Sequence, residues 1–282
     1  MHSSPKSAAQ QTTIALVYSR SEIADDFRTL GLAAGDVVMV HASVRSVGEI
    51  AGGPDQIHLA IKDAVTDAGT MMMYASCPDY VDDVGRGVHP GSTEREILEK
   101  LPAFDALTAR SARDNGTLVE FFRTYPGSMV NHHPARFVVW GAQAAHLISE
   151  QPWDFAFGRG SALERFAQLN GKILLIGCDH DTVTFLHYAE HILDAPGMRI
   201  ACFEVPWLEN GERVWKEMKE VDTSGEGAHP NWPERFFAQI VNKHLSATNN
   251  RGGRVGNAHC FLLDARGLLE LALEEMRRVA TP

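Results

Sequence analysis

Cysteine is scarce in this chain: 4 of the 282 residues are cysteines, at positions 77, 178, 202 and 260, and none belongs to a CxxC pair. This spacing argues against a disulfide framework, a zinc ribbon and a redox-active cysteine pair. Because the cysteines lie mostly in apolar, strand-like context, we expect reduced, buried thiols in a cytoplasmic protein.

Long apolar runs are also missing. No stretch approaches the roughly 18 apolar residues that a spanning helix needs, and the polar segment 1–13 has no apolar core typical of a signal peptide. We therefore expect no membrane partner and a cytoplasmic location. The composition further predicts a flexible tail over residues 1–13 and one elaborated domain over residues 14–282.

Positive charge is in the minority, with 26 Lys and Arg against 36 Asp and Glu, a formal net charge of −10. A nucleic-acid binder would need a basic face, so we expect no nucleic-acid partner. An acidic surface is compatible with small cationic ligands. The sequence also lacks GxGxxG, GxxxxGK[ST] and GxSxG, which argues against a dinucleotide fold, a P-loop and an α/β-hydrolase elbow.

What the sequence does contain is an alternation of buried-type strands with amphipathic helices. Apolar runs at 37–41, 71–74, 137–140, 173–177 and 260–263 are separated by segments of helical period, and residues 198–220 alternate like a strand pair around a turn at Asn210 and Gly211. This order predicts an α/β fold with a central mixed sheet flanked by helices. The polar stretch 76–113 is a candidate lid or binding loop.

A possible acid–base pair lies in the helix predicted to run through 181–191. His187 and Glu190 are three residues apart, so they share one helix face and can form a hydrogen bond. A carboxylate beside an imidazole fixes its tautomer and stabilises the imidazolium, as a general base requires. The alternative is a solvated helix face without a catalytic role.

The same residues spell HxxEH, from His187 to His191, which is the inverted zinc-protease signature. In that interpretation both histidines bind zinc, Glu190 is the general base, and a downstream acid supplies the third ligand. The candidate third ligands are Glu204, Glu209, Glu212, Glu217 and Glu220. A zinc-dependent hydrolase is thus the alternative function.

A loop of small and hydroxylic residues follows the first buried strand. Its backbone N–H groups could cradle a phosphate, although a plain strand-to-helix connection is the simpler interpretation. The loop residues are Ser43, Val44, Arg45, Ser46 and Val47.

Taken in order, these segments resemble the aminoglycoside 3-N-acetyltransferase family. The resemblance covers roughly residues 20–275 and is carried by the segments 35–48, 52–54, 69–70, 114–123, 126–127, 133–134 and 171–191. It implies an α/β acyltransferase domain of the antibiotic N-acetyltransferase type, with acetyl-CoA as co-substrate and no metal. It also implies direct attack of the substrate amine on the thioester, with His187 as general base, Glu190 as its orienter, and residues 43–47 holding the coenzyme A pyrophosphate.

The reaction of this family, acetylation of the 3-amine of the deoxystreptamine ring, fits a His–carboxylate pair. An alkyl ammonium of pKa about 10 costs about 4 kcal/mol to deprotonate at pH 7. Aminoglycosides carry several ammonium groups, so we expect acids and amides at the pocket. The resemblance and the charge suggest Asp79, Asn115, Glu120, Glu220 and Asp222. We expect a monomer or a homodimer, and a non-catalytic protein that sequesters a cationic ligand stays a third possibility.

Overall fold

The computed structural model describes residues 16–78, 81, 91–193, 195–223 and 227–281. The predicted tail and Asp79 lie outside these residues. The strands, in chain order, are β1 (Val17–Tyr18), β2 (Val37–Ala42), β3 (Glu49–Ile50), β4 (Thr70–Tyr74), β5 (Met129–Val130), β6 (Phe137–Gly141), β7 (Lys172–Ile176), β8 (Ile200–Glu209), β9 (Glu212–Val221), β10 (Gly253–Val255) and β11 (Ala258–Asp264).

The helices alternate with the strands of the central sheet. In chain order they are α1 (Arg20–Leu30), α2 (Val44–Val47), α3 (Asp55–Val65), α4 (Gly91–Lys100), α5 (Leu118–Thr124), α6 (Ala144–Leu147), α7 (Ala162–Gln168), α8 (Leu186–Ile192), α9 (Phe236–Ala247) and α10 (Ala265–Ala280). Short 3-10 turns lie at Arg113–Asn115 and His180–Thr182. Within the described residues, no helix is both long and apolar enough to cross a membrane.

The central sheet has seven strands in the order β10-β11-β7-β2-β4-β6-β5. Strand β2 pairs in parallel with both β4 and β7, whereas β6 and β11 pair antiparallel to their inner neighbours. The predicted mixed sheet is therefore confirmed. Because β2, β4 and β7 run in parallel side by side, their carboxyl ends meet at one edge of the sheet.

The sheet is buried on both faces by helices. Along β7, Ile173 and Leu175 pack into one apolar cluster, while Leu174 and Ile176 pack into the cluster on the opposite face. Strand side chains alternate between faces, so a strand covered on both sides reads as a continuous apolar run, as 173–177 does.

Strands β8 and β9 form a separate antiparallel ribbon. The two strands turn at Asn210 and Gly211, which have φ values of 53° and 85°. Positive φ at both central residues is typical of a tight hairpin turn and favours Asn-Gly. The predicted strand pair is confirmed, and this ribbon carries Glu220 near its end.

Three expectations from the sequence are wrong in detail. Residues 44–47 form the single helical turn α2 instead of an open loop, with Ser43 extended before it. The stretch 76–113 contains helix α4. Of the four cysteines expected to be buried, Cys178 is only partly buried and Cys202 is exposed. Phe203 and Val205 point inward along β8, so Cys202, which precedes Phe203, points to the opposite, outward face.

Lys62 on α3 is an unusual buried cation. The side chain is 7% exposed, and its Nζ lies 5.1 Å, 4.7 Å and 4.9 Å from the ring centres of Phe122, Tyr125 and Trp140. Among the described residues Nζ has no hydrogen-bond partner. Burial is the larger cause and the charge of Arg20 the second, and together they lower the pKa of Lys62 to about 8.

We expect Lys62→Met to stabilise the fold by about 1–2 kcal/mol at pH 7, because it removes a buried unpaired charge and keeps the volume. The pKa is lower in the folded than in the unfolded state, so wild-type stability rises with pH between about 8 and 10.5. The gain from methionine should therefore be largest below pH 8 and smaller at pH 9.5. Denaturant unfolding at pH 7 and pH 9.5 measures the difference in unfolding free energy, with the exposed Lys100→Met as control. A loss of stability in Lys62→Met that does not depend on pH would contradict this account.

Candidate active site

The predicted pair is formed on helix α8. His187 Nδ1 lies 2.6 Å from Glu190 Oε2. The imidazole is 25% exposed, whereas the carboxylate is only 4% exposed. With Nδ1–H donating to Glu190, Nε2 presents its lone pair outward and can accept a proton. The rings of Phe157 and Phe237 pack against the imidazole at 5.3 Å and 5.0 Å.

Two clefts meet at His187. The first, called the aromatic cleft, has a volume of about 660 Å³ and is bounded by His187, Asp181, Trp232, Arg235 and Phe237, among others. The second, called the polar cleft, has a volume of about 270 Å³ and is bounded by His187 together with Tyr74, Asn115, Phe157, Glu220 and Thr223, among others. A group held in either cleft can therefore approach the same imidazole.

The carboxyl ends of the parallel strands supply the neighbouring wall. A narrow third cleft of about 160 Å³ is lined by His41 and Ala42 at the end of β2, by Tyr74 at the end of β4, and by Cys178 just after β7. It shares Tyr74 and Asn115 with the polar cleft. The three clefts therefore lie side by side at this edge of the sheet.

Helix α2, which carries the predicted phosphate-binding residues, begins at the same edge. Ser43 N–H donates to the carbonyl of Ile176 at 2.9 Å, and Ser46 Oγ donates to the carbonyl of Gly177 at 3.0 Å. A Cβ at position 177 would lie 2.4 Å from the Cβ of Ser46, so this approach requires glycine. In the first turn, the N–H groups of Val44 and Arg45 have no acceptor within the helix.

Glu220 and Asn115, two of the predicted substrate-binding residues, line the polar cleft. Glu220 is 5% exposed; its Oε2 accepts the N–H of Ala156 at 2.8 Å, and its Oε1 contacts Nε2 of His191. Asn115 donates to Ser76 Oγ at 2.7 Å. Asp222 is partly buried just beyond β9.

Glu120 lies in a different environment, where other side chains occupy its carboxylate. It receives hydrogen bonds from Arg123 and Arg110 at 2.9 Å and 2.8 Å, and from the N–H of Ser111 at 2.9 Å. Burial alone would raise the pKa, but these donors overcome it and lower the pKa of Glu120 to about 2. Glu120 thus links helix α5 to Arg110 and Ser111 in the preceding segment.

We expect Glu120→Gln to destabilise the protein by about 1–3 kcal/mol, because it removes a charge that several donors share. The folded-state pKa is below the unfolded value of 4.5, so this stabilisation is present above pH 4.5 and is lost as the pH falls towards 2. Thermal unfolding at pH 7 and pH 3 measures both effects. Unchanged stability combined with weaker substrate binding would instead support the predicted role in the pocket.

Sequence reasoning did not select His41 for the site. Among the described residues its buried Nε2 has no hydrogen-bond partner. Burial is the larger cause and the charge of His187 the second, and together they lower the pKa of His41 to about 4. The ring is therefore neutral at pH 7. The sequence feature that could have identified His41 is its place at the carboxyl end of a buried strand, because ligands of α/β proteins bind at that edge of the sheet.

The zinc interpretation finds no support in this geometry. His191, its second histidine ligand, has both ring nitrogens occupied: Nδ1 lies 2.7 Å from the carbonyl oxygen of His187 and Nε2 contacts Glu220. Nδ1 of His187 is held by Glu190. In the described part of the chain, no three His, Cys, Asp or Glu side chains are grouped to hold a metal ion.

Comparison with known proteins gives consistent matches. The sequence model described as aminoglycoside 3-N-acetyltransferase matches residues 39–277. Aminoglycoside N(3)-acetyltransferase III of Pseudomonas aeruginosa is 33% identical over 267 residues, which are 93% of this chain and 95% of the relative.

Solved structures agree over nearly the whole chain. The structure described as AAC-IIIb binary with CoASH is 37% identical with a TM-score of 0.87, covering 95% of this chain and 99% of the other. The structure described as AAC-VIa bound to Sisomicin is 32% identical with a TM-score of 0.86, covering 95% and 100%.

Proposed function

From the fact that this chain belongs to the aminoglycoside 3-N-acetyltransferase family, and is therefore an acyltransferase, we propose that it transfers the acetyl group of acetyl-CoA to the 3-amine of the deoxystreptamine ring of aminoglycosides. The family membership and the mixed α/β fold agree with the sequence predictions. The observation that carries the proposal is the position of His187, whose imidazole borders two clefts and is tied to a buried carboxylate.

His187 acts as the general base in this mechanism. The amine enters as an ammonium, and its deprotonation costs about 4 kcal/mol at pH 7. Nε2 of His187 takes one proton from the ammonium, and the nitrogen then forms a bond to the thioester carbonyl carbon. The carbon–sulfur bond breaks as the nitrogen releases a second proton to solvent. The imidazolium then returns the proton to the departing sulfur, which leaves an amide and the free thiol of coenzyme A.

Glu190 stabilises the charged form of His187. Its Oε2 accepts the Nδ1–H of the ring, so the positive charge that develops on the imidazole lies beside a carboxylate that is shielded from water. The hydrogen bond also keeps Nε2 aimed away from the helix. No covalent acetyl-enzyme is needed.

Residues 43–47 hold the pyrophosphate of coenzyme A in this proposal. Backbone N–H groups that are free in a first helical turn can bind phosphate oxygens, and Val44 and Arg45 provide them here. Arg45 is exposed, so its guanidinium is also accessible to a phosphate. Ser46 contributes indirectly, because its hydroxyl group anchors α2 to Gly177.

The polar cleft is the proposed site of the aminoglycoside. Glu220 supplies a carboxylate for an ammonium group, and Asn115 supplies an amide for a hydroxyl. Asp222 does not line the cleft but lies between two residues that do, and we propose that it contributes negative charge beside the cleft. Asp79 stays a prediction. So do the cytoplasmic location, the oligomeric state and the lack of a nucleic-acid or membrane partner.

Release of free thiol from acetyl-CoA tests this function. The purified protein is mixed with acetyl-CoA and a panel of aminoglycosides that includes sisomicin, with a neutral polyol as control, and each reaction is repeated with a zinc chelator. We expect amine-dependent thiol release that the chelator leaves unchanged. Tight aminoglycoside binding without thiol release would favour a sequestering protein, and activity lost to the chelator would favour the zinc hydrolase.

A further inference from the structure

His191, one helical turn after His187, is buried between two hydrogen-bond acceptors. Its side chain is fully buried. Nδ1 lies 2.7 Å from the carbonyl oxygen of His187, and Nε2 contacts Oε1 of Glu220. A carbonyl oxygen can only accept a hydrogen bond, and an ionised carboxylate is also limited to accepting.

Two acceptors require two protons. A neutral imidazole carries one N–H, so one of its contacts would then set a lone pair against an acceptor oxygen. A proton shared by a histidine and a glutamate resides on the imidazole, whose ordinary pKa is the higher by about 2 units. Glu220 Oε2 also accepts the Ala156 N–H, as an ionised carboxylate does.

We propose that His191 is a buried imidazolium that keeps Glu220 ionised and oriented at the wall of the polar cleft, and is therefore a positioning residue for the ammonium groups of the substrate. The inference rests on the proposed function, which identifies the substrate as an aminoglycoside. Glu220 is 5% exposed, and a carboxylate so deeply buried without a cation would take up a proton. A protonated Glu220 would attract an ammonium much less strongly.

Among the described residues, no other Lys, Arg or His side chain forms an ion pair with Glu220. Of the titratable groups around the pair, His187 is paired with Glu190 on α8, and Asp154 is an acid. His133 donates from Nε2 to the carbonyl of Trp153 at 3.0 Å and accepts the N–H of Ala135 at Nδ1, and burial lowers its pKa to about 4. His191 is thus the charge partner of Glu220 in this part of the structure.

The protonation state is measured directly on the wild-type protein by long-range ¹H–¹⁵N correlation of the histidine side chains, with His191→Gln to assign the signals. We expect both ring nitrogens of His191 to show protonated shifts at pH 7. An unprotonated nitrogen at that pH would overturn the proposal. This readout does not depend on catalysis, so it stands apart from any failure of the proposed function.

Kinetics with two variants test the positioning role. His191→Leu should raise the KM for the aminoglycoside at least tenfold and change kcat and the KM for acetyl-CoA less than threefold. His191→Gln, which still donates to Glu220, should recover part of that loss.

The buried His244→Gln on α9 is the matched control for replacing an interior histidine. Equal loss of kcat and of affinity for both substrates in His191→Leu would overturn the positioning role, because it would indicate general damage. If wild-type protein transfers no acetyl group to any aminoglycoside, the proposed function fails, and the NMR result still decides the state of His191.

Discussion

Replacing His187 with alanine is expected to lower kcat for acetyl transfer by about 10³-fold, within the range that general bases contribute. In the proposed mechanism Nε2 of His187 takes the amine proton, and His187 borders both clefts. Without it the ammonium must lose its proton to water. Thiol release at saturating concentrations of both substrates measures the loss, and added imidazole should restore part of the rate.

Two controls separate chemistry from folding. Alanine leaves the buried carboxylate of Glu190 without its partner, so His187→Gln, which can still donate to Glu190 but cannot take a proton, should be equally inactive and more stable. The exposed His146→Ala on α6 should behave like wild type. Near-normal kcat in His187→Gln would contradict the assignment of the base.

Glu190→Gln is expected to lower kcat by about 10- to 100-fold while the helix stays intact. Glutamine keeps a hydrogen bond to Nδ1 of His187 and removes the negative charge, so the imidazolium loses about 1–3 kcal/mol of stabilisation. Because the carboxylate is 4% exposed, water cannot replace that charge. The measurement is kcat across pH 6 to 9.

The matched control for Glu190→Gln is Glu275→Gln, which removes a similarly buried carboxylate from α10, and Glu275 does not line the three clefts. Glu275 is 6% exposed and pairs with Lys243 and Arg278. Its replacement should cost stability and leave kcat unchanged. Equal kinetic losses in the two variants would show that the effect of Glu190→Gln is structural.

The parts of the site that were predictable from the sequence are local ones. His187 and Glu190 are three residues apart on one helix, so helical geometry alone brings them together. The mixed sheet followed from apolar runs bounded by helical segments. The residues proposed to bind phosphate lie where a parallel strand ends, and the strand pattern also predicted that position.

The remaining parts depend on contacts between residues distant in sequence. His191 and Glu220 are 29 residues apart in the sequence and meet only in the folded chain. Glu120 looked available for a substrate, yet Arg110 and Arg123 surround it once the chain has folded. Tertiary pairing of charges leaves no periodic signal, so the sequence could suggest candidate acids without showing which carboxylates are already occupied.

The identity of the reaction product tests the central claim most directly. One aminoglycoside that supports thiol release is converted to completion with acetyl-CoA, and the product is analysed by mass spectrometry and NMR. We predict a single added acetyl group, as an amide on the 3-amine of the deoxystreptamine ring, with one coenzyme A thiol released per product. An acetyl group on a hydroxyl or a different amine, or thiol release without an acetylated product, would contradict the account.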